Sequence, residues 1–448
     1  MSGTFRFIHA ADLHIGSFLN INGKPSKEVQ ALCREAVYNG FESICTTAIW
    51  YKVDFILICG DVYDSYLRSV RGNRFFINQC LRLSAINIGV YVIYGNHDAS
   101  NEKQELFHMP ENVHILSSNS VEMLEIYKDG EVIAKIIGKS YRQRSEREKV
   151  YENYLLNNDV FNIAMLHTAL LGDNINYIPC TLEELKRVPN IDYWALGHIH
   201  KTNILSAAKP VIAFPGIPQG RDMGERGQGG VFYVEVAKKE IVNMEFLPIA
   251  KVIYKSIEII IGEEIEIVNF ADLMLEILEK SKELIYNISE APNELVCSNE
   301  ALKDEFKGYI VRLVIKGRTQ LQDKISHMKD EDYKQFIEDI NAELSLEKYF
   351  LWVDSIIFRT TPLMKDFESL KIQNSIFSDL DEVISLYGQG KEDRIKLVKN
   401  WGAIWKQQIY TENIDEDKFD FDDELIEDII LQARQLVIEK LVEALEIM

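Results

Sequence analysis

Five short segments in the first half of this chain each close a strongly apolar run with residues able to hold a metal ion: Asp12-Leu-His14, Gly60-Asp61, Gly95-Asn96-His97-Asp98, His167 and Gly197-His198-Ile-His200. A sixth run ends in Pro215-Gly216. The runs themselves, at 5–9, 55–59, 90–94, 163–166, 193–196 and 211–214, are short, rich in Val, Ile and Tyr, and often followed by Gly, which predicts buried strands. Apolar residues at helical spacing over 26–52 and 70–86 predict helices between them. The chain therefore reads as α/β, with a largely buried sheet, and ligands at the carboxyl ends of such strands converge on one edge.

Side chains alternate with period two along an extended segment, so Asp12 and His14 share a side, as do His198 and His200. Gly60 permits a tight turn that brings Asp61 close to its neighbours. Imidazoles, carboxylates and an Asn carbonyl together suit Mn²⁺ or Fe²⁺ better than Ca²⁺ or a thiolate-rich Zn²⁺ site. Mn²⁺ is the first choice, with Fe²⁺ and Mg²⁺ as alternatives. Two divalent ions about 3.5–4 Å apart can neutralise phosphoryl oxygens and set a hydroxide in line with the leaving oxygen. That chemistry needs one shared carboxylate, and Asp61 is the natural bridge. Five of the nine histidines (His14, His97, His167, His198 and His200) fall within these motifs, which scattered packing roles would not produce. His9 reads as a packed histidine inside the first strand, and His108, His114 and His327 as surface or loop residues.

These motifs, with Asp64 in Gly60-Asp61-Val-Tyr-Asp64, resemble those of the calcineurin-like metallophosphoesterases. Phe7-Ile-His-Ala-Ala-Asp-Leu-His-Ile-Gly16, Tyr193-Trp-Ala-Leu-Gly-His-Ile-His200, Phe214-Pro-Gly-Ile-Pro-Gln219 and Gly229-Gly-Val-Phe232 are similar, more narrowly, to the SbcD/YhaO type of DNA-repair exonuclease. The resemblance spans roughly residues 5 to 236. It implies an αββα sandwich with one ion held by Asp12, His14, Asp61 and His200 and the other by Asp61, Asn96, His167 and His198. His97 would be the catalytic acid, its ring held by Asp64. It further implies 3′→5′ exonuclease action on double-stranded DNA ends, endonuclease action as a second activity, a homodimer, and work with an SMC-like ATPase of the SbcC type that binds the nuclease's C-terminal helices.

A chain of 448 residues with 47% hydrophobic content buries full cores, and its length suggests two or three domains. The motif-bearing domain is expected at 1–250, with a small α+β cap domain at 251–362 built on strands near 254–261, 309–315 and 350–358 and helices near 270–285 and 330–344. A helical partner-binding region is expected at 363–448. There Ile395, Val398, Trp401 and Trp405 fall at near-helical spacing, residues 415–428 are acidic, and Ile429, Ile430, Ala433, Leu436, Val437, Leu441, Ala444 and Leu445 form an apolar stripe that fits either partner docking or internal packing. The six cysteines lack CxxC pairing and read as reduced core residues. No run reaches membrane-spanning length and none resembles a signal segment, so the expectation is a cytoplasmic protein without membrane contact. The net charge of −21 is uneven: residues 1–250 hold 25 basic against 28 acidic residues, and residues 251–448 hold 24 against 42. The acidity thus lies mostly outside the motif-bearing half and argues only weakly against nucleic acid.

Arg221 and Arg226, in the Gly-rich loop after Pro215, are placed to meet phosphates. Arg142 and Arg144, with Arg147 and Lys149, fit phosphate contact or a solvated helix face equally, since Glu146 and Glu148 interrupt them. Tyr63 and Tyr66 fit base stacking less well than packing, and Asp98 fits a supporting or capping role. A small-molecule phosphodiesterase or nucleotidase using the same metals, and a scaffold subunit of an ATPase complex, are the alternatives to a DNA nuclease.

Overall fold

The structure, a computed structural model, describes residues 4–64, 68–102, 107–170, 176–261, 267–290, 300–302, 306–344, 350–362, 371, 374–389, 433–434, 436–438 and 440–441. Along the chain run β1 (Phe5–Ala10), α1 (Lys27–Trp50), β2 (Phe55–Cys59), α2 (Val70–Ser84), β3 (Gly89–Ile93), β4 (Val113–Ile115), β5 (Glu122–Lys128), β6 (Glu131–Gly138), β7 (Phe161–His167), α3 (Leu182–Arg187), β8 (Tyr193–Gly197), β9 (Asn203–Ser206), β10 (Val211–Phe214), β11 (Gly230–Ala237) and β12 (Glu240–Pro248). They build two six-stranded sheets, ordered β12-β11-β1-β2-β3-β4 and β5-β6-β7-β8-β10-β9. Strands β1 to β4 are parallel in the first, and β6, β7, β8 and β10 in the second.

Side-chain alternation along β1 and β2 divides their residues between two cores. Phe5, Phe7, Phe55 and Leu57 meet Ile136, Ile163, Met165, Tyr193 and Ala195 of the second sheet. The Phe7 and Phe55 rings stack with centroids 5.3 Å apart, and Tyr193 meets Phe7 edge-on at 5.3 Å. Ile8, Ala10, Ile56 and Ile58 point the other way, against Tyr38, Phe41 and Ile44 of α1 and Phe76 and Leu83 of α2. Both helices start where the sequence supplies a cap: the Ser26 hydroxyl accepts from Val29 N–H and that of Ser69 from Gly72 N–H. The outer face of the second sheet, with Trp194, Leu196, Ile212 and Phe214, is covered by Tyr151, Tyr154 and Leu185. The αββα arrangement expected from the motifs is therefore present, with short elements in its fourth layer. His9 is packed as expected: its Nε2 donates to Leu196 O at 3.0 Å and its Nδ1 accepts from the Tyr193 hydroxyl at 2.9 Å.

Two local readings change. Residues 142–149, offered as a helix face, form a loop tied to residues 176–178 through Glu146. The β5–β6 hairpin has no counterpart in the sequence reading. Its outer strand exposes Met123, Glu125 and Tyr127 on one face and turns Leu124 and Ile126 toward the core, as an edge strand exposed on one side does.

After residue 250 a separate three-stranded sheet, β13 (Val252–Ile261), β14 (Gly308–Thr319) and β15 (Phe350–Pro362), is joined by helices Phe270–Glu290 and Asp330–Leu344. It has its own core of Ile259, Leu273, Ile277, Leu313, Phe336, Ile340 and Val353. Val252, Tyr254, Ile310 and Trp352 pack against Leu19, Cys33 and Val37. Trp352 Nε1–H donates to Asn22 O at 3.0 Å, and the Asp354 carboxylate accepts from Asn22 N–H at 2.8 Å and Asn22 Nδ2 at 3.1 Å. By compactness the chain divides into residues 1–361 and 362–448; helix Ser375–Gln389 belongs to the second. The spacing at 395–405, the acidic stretch 415–428, and Ile429, Ile430, Ala444 and Leu445 of the final stripe lie outside the described residues. Ala433, Leu436, Val437 and Leu441 of that stripe are helical. Cys33, Cys45, Cys59, Cys80 and Cys180 are free and buried; Cys297 lies outside the described residues. Among the described residues no helix is long and apolar enough to cross a membrane.

Candidate metal centre

The ligand-bearing loops follow the carboxyl ends of β1, β2, β3, β7 and β8. Three glycines let them close on one another. A Cβ on Gly197 would lie 1.7 Å from Cys59 O, one on Gly60 2.1 Å from His167 Nδ1, and one on Gly95 2.2 Å from Asp61 Oδ1 and 2.7 Å from His167 Nε2. The backbone is left-handed at Asp12 (φ 54°), His14 (φ 47°), Asp61 (φ 52°) and His198 (φ 98°). Such conformations cost L-residues roughly 1–2 kcal/mol each, and their concentration at four motif residues marks a site the rest of the fold holds in place. Gly95→Ala, whose added methyl meets both Asp61 and His167, is expected to lower divalent-ion affinity by roughly 10–100-fold with the circular dichroism spectrum unchanged. Titration calorimetry checks this, and wild-type affinity in the variant would contradict it.

All seven expected ligand residues come together. His14 Nε2 and His200 Nε2 are 3.3 Å apart. Asn96 Oδ1 lies 2.9 Å from His167 Nε2 and 3.0 Å from His198 Nδ1. Asp61 Oδ2 stands between these groups, 3.9 Å from His14 Nε2 and 3.5 Å from His167 Nε2. Donor atoms of Asp12, His14 and His200 lie within 4.8 Å of one another, as do those of Asp12, Asp61 and His167. Ligands about 2.1 Å from a shared ion and at right angles stand about 3 Å apart, so these separations are those of donors that share a cation.

The protonation pattern fits the same conclusion. His167 Nδ1–H donates to Cys59 O at 3.0 Å, and burial pushes the ring's pKa down to about 3. The neutral ring then presents a bare Nε2 to Asn96 Oδ1, and two facing lone pairs are relieved by a cation between them. Burial also lowers His198 to about 3, with the neighbouring His167 adding to the effect, and pushes His14 well down. The carboxylates go the other way. Burial raises Asp12 to about 8, with the charge of Asp61 adding to it against the pull of His200. Asp61 is raised by burial as well. Buried carboxylates so close together call for positive charge. The residues present fit divalent ions.

Because burial raises the Asp12 pKa, the metal-free site favours a proton on that carboxyl, which an ion must displace. Divalent-ion affinity is therefore expected to rise with pH from 6 to 8, with protons released on binding. Calorimetry in two buffers of different ionisation enthalpy measures that release; a binding heat independent of buffer would contradict it.

Sequence reasoning missed Glu225. Its Oε1 accepts from His200 Nδ1–H at 2.7 Å, which leaves His200 Nε2 facing the cluster. This is how supporting carboxylates orient ligating imidazoles. Burial pulls His200 down, but the Glu225 bond and the Asp12 charge outweigh it and raise the net value. Glu225 itself is held down at about 2 despite its burial, through His200 and Arg221. Its one signal in the sequence is an acid between Arg221 and Arg226. Glu225→Gln is expected to weaken metal binding by roughly 10–100-fold, read by calorimetry; unchanged affinity would remove Glu225 from this role.

Asp98 supports two loops at once, accepting from Val62 N–H at 2.7 Å and Gly95 N–H at 2.7 Å. His97 N–H donates to Asp61 Oδ1 at 2.9 Å. The His97 ring meets His14 edge-on at 5.0 Å, and its donor atoms lie within 4.8 Å of those of His14 and Asp64. Arg221, expected to meet phosphates, is instead engaged within the protein: it donates to Glu225 at 2.6 and 3.1 Å and lies 3.6 Å from Asp64 Oδ2. Arg226, Arg142 and Arg144 are exposed on loops. Tyr63 is buried against Phe76, and Tyr66 lies outside the described residues.

Residues 5–202 match the calcineurin-like phosphoesterase family. The chain is 39% identical over 239 residues to the uncharacterized metallophosphoesterase YhaO of Bacillus subtilis, which covers 52% of this chain and 58% of that protein. It is 25% identical over 262 residues to the DNA double-strand break repair protein Mre11 of Archaeoglobus fulgidus, covering 54% of this chain and 56% of that one. The protein of the same name from Methanocaldococcus jannaschii is 28% identical over 220 residues, 47% and 55% of the two chains. The chain thus spans a little over half the length of each of these relatives. The two-sheet fold and the converging donors agree with this match, and the first part of the chain has a metallophosphoesterase fold.

Proposed function

We propose that the protein is a metal-dependent DNA nuclease that hydrolyses phosphodiester bonds at double-stranded ends, in the 3′→5′ direction, with endonuclease action as a second activity. The observation that carries the reading is the position of Asp61 Oδ2 between His14 and His167, with donors gathered on both sides. One ion would be held by Asp12, His14, Asp61 and His200, and the other by Asp61, Asn96, His167 and His198, with Mn²⁺ the best match to the donor set. When bound, the pair supplies charge neutralisation at the phosphate and activation of the attacking water. Glu225 and Cys59 O fix the ligand rings, the glycines keep the loops in contact, and His97 protonates the departing oxygen with Asp64 beside it. DNA as substrate is supported by the motif resemblance and by similarity to proteins named for double-strand break repair.

The same resemblance supports a homodimer and an SMC-like ATPase of the SbcC type bound by the C-terminal region. Purified protein should bind two Mn²⁺ and degrade end-labelled duplex DNA. Two bound ions without cleavage of DNA ends or single strands, alone or with the ATPase, would overturn the reading.

A further inference from the structure

Beside the Gly-rich loop, a cleft of about 370 Å³ is lined by Arg226, Gln228, Ile253, Lys255, Ser256 and Tyr309, among others. Its polar groups point to one class of ligand. Among the described residues neither Arg226 nor Lys255 pairs with a carboxylate; Lys255 Nζ sits 5.5 Å from the Tyr309 ring centroid. Gln228 Oε1 is buried without a hydrogen-bond partner, a state that native structures rarely leave unexplained. No acidic residue lines the cleft, although acids outnumber bases 42 to 24 after residue 250. The floor, Ile253 with the Tyr254 and Tyr309 rings, is apolar. Two cations, a hydroxyl, an unpaired acceptor and an apolar floor are complementary to one nucleotide: phosphate toward Arg226 and Lys255, a base or sugar donor toward Gln228, and the sugar and base body on the floor.

The cleft is also tied to the metal centre. Arg226 follows Glu225, whose carboxylate is 2.7 Å from His200 Nδ1, and Gly227 N–H donates to Tyr254 O at 3.0 Å. We infer that this cleft is a subsite holding one nucleotide of the DNA strand being cut, on the loop that also orients His200. The inference rests on the DNA-nuclease reading.

The test compares full-length wild type with Arg226→Ala/Lys255→Ala on end-labelled duplex DNA and on a small aryl phosphodiester, with metal binding measured by calorimetry. The subsite predicts a KM for DNA raised about tenfold, and a slope of log affinity against log salt shallower by about 1. Metal stoichiometry and turnover of the aryl diester should match wild type, and Arg226→Lys/Lys255→Arg should recover most of the loss. An unchanged KM for DNA overturns the subsite alone, whereas a wild type that turns over the aryl diester but never DNA removes the nuclease reading and the subsite together. Loss of metal binding in the alanine variant assigns the two cations to folding and also overturns it. So does binding of a free deoxynucleoside monophosphate that these substitutions abolish while KM for DNA stays unchanged, since the cleft would then be an effector site.

Discussion

Asp61→Asn is expected to reduce phosphodiester hydrolysis by more than the 10²–10³-fold that loss of a single charge-stabilising donor typically costs, and to do so without unfolding the protein. Asp61 Oδ2 lies between both groups of donors, 3.9 Å from His14 Nε2 and 3.5 Å from His167 Nε2. Its loss therefore weakens both ion positions, whereas His198→Ala would weaken one. The amide keeps an oxygen for the His97 N–H bond and removes a buried charge that raises its neighbours Asp12 and Asp98. The metal-free variant should consequently melt no lower than metal-free wild type, which separates a site defect from a folding defect. Calorimetry that still found two tight ions in Asp61→Asn would remove the bridging role.

The second large effect is expected at His97. His97→Ala should lower kcat on DNA by roughly 10²–10⁴-fold, the range for a positioned proton donor, with metal stoichiometry unchanged. The ring stands beside His14 and Asp64 and is not one of the seven proposed ligands, so its removal takes away none of them. An aryl diester, whose phenolate leaves without help, should be hydrolysed at a rate much nearer to wild type than DNA is. Equal losses on both substrates would give the His97 ring a structural role against His14, which it meets edge-on, and would contradict proton donation.

Much of this site could be read from the chain, for a physical reason. Strands buried on both faces must be apolar throughout, so β1, β2, β7 and β8 stand out as continuous runs, and ligands just past their ends are marked by position as well as by type. Glu225 carries no such mark. It lies in a polar loop, and only tertiary contact with His200 gives it a role. Arg221 was equally visible as a cation, but the carboxylates that engage it, Glu225 and Asp64, come from two different loops. The β5–β6 hairpin was hidden because its edge strand, exposed on one face, carries charges at every third residue and lacks the continuous apolar signature of its buried neighbours.

The most direct measurement is Mn²⁺-titrated degradation of end-labelled duplex DNA by wild type and Asp61→Asn side by side, with bound metal quantified in each. The account predicts cleavage by wild type that saturates as two ions bind, and neither cleavage nor the second ion in the variant. Cleavage by Asp61→Asn at the wild-type rate, or two ions bound by wild type with no cleavage, would contradict it.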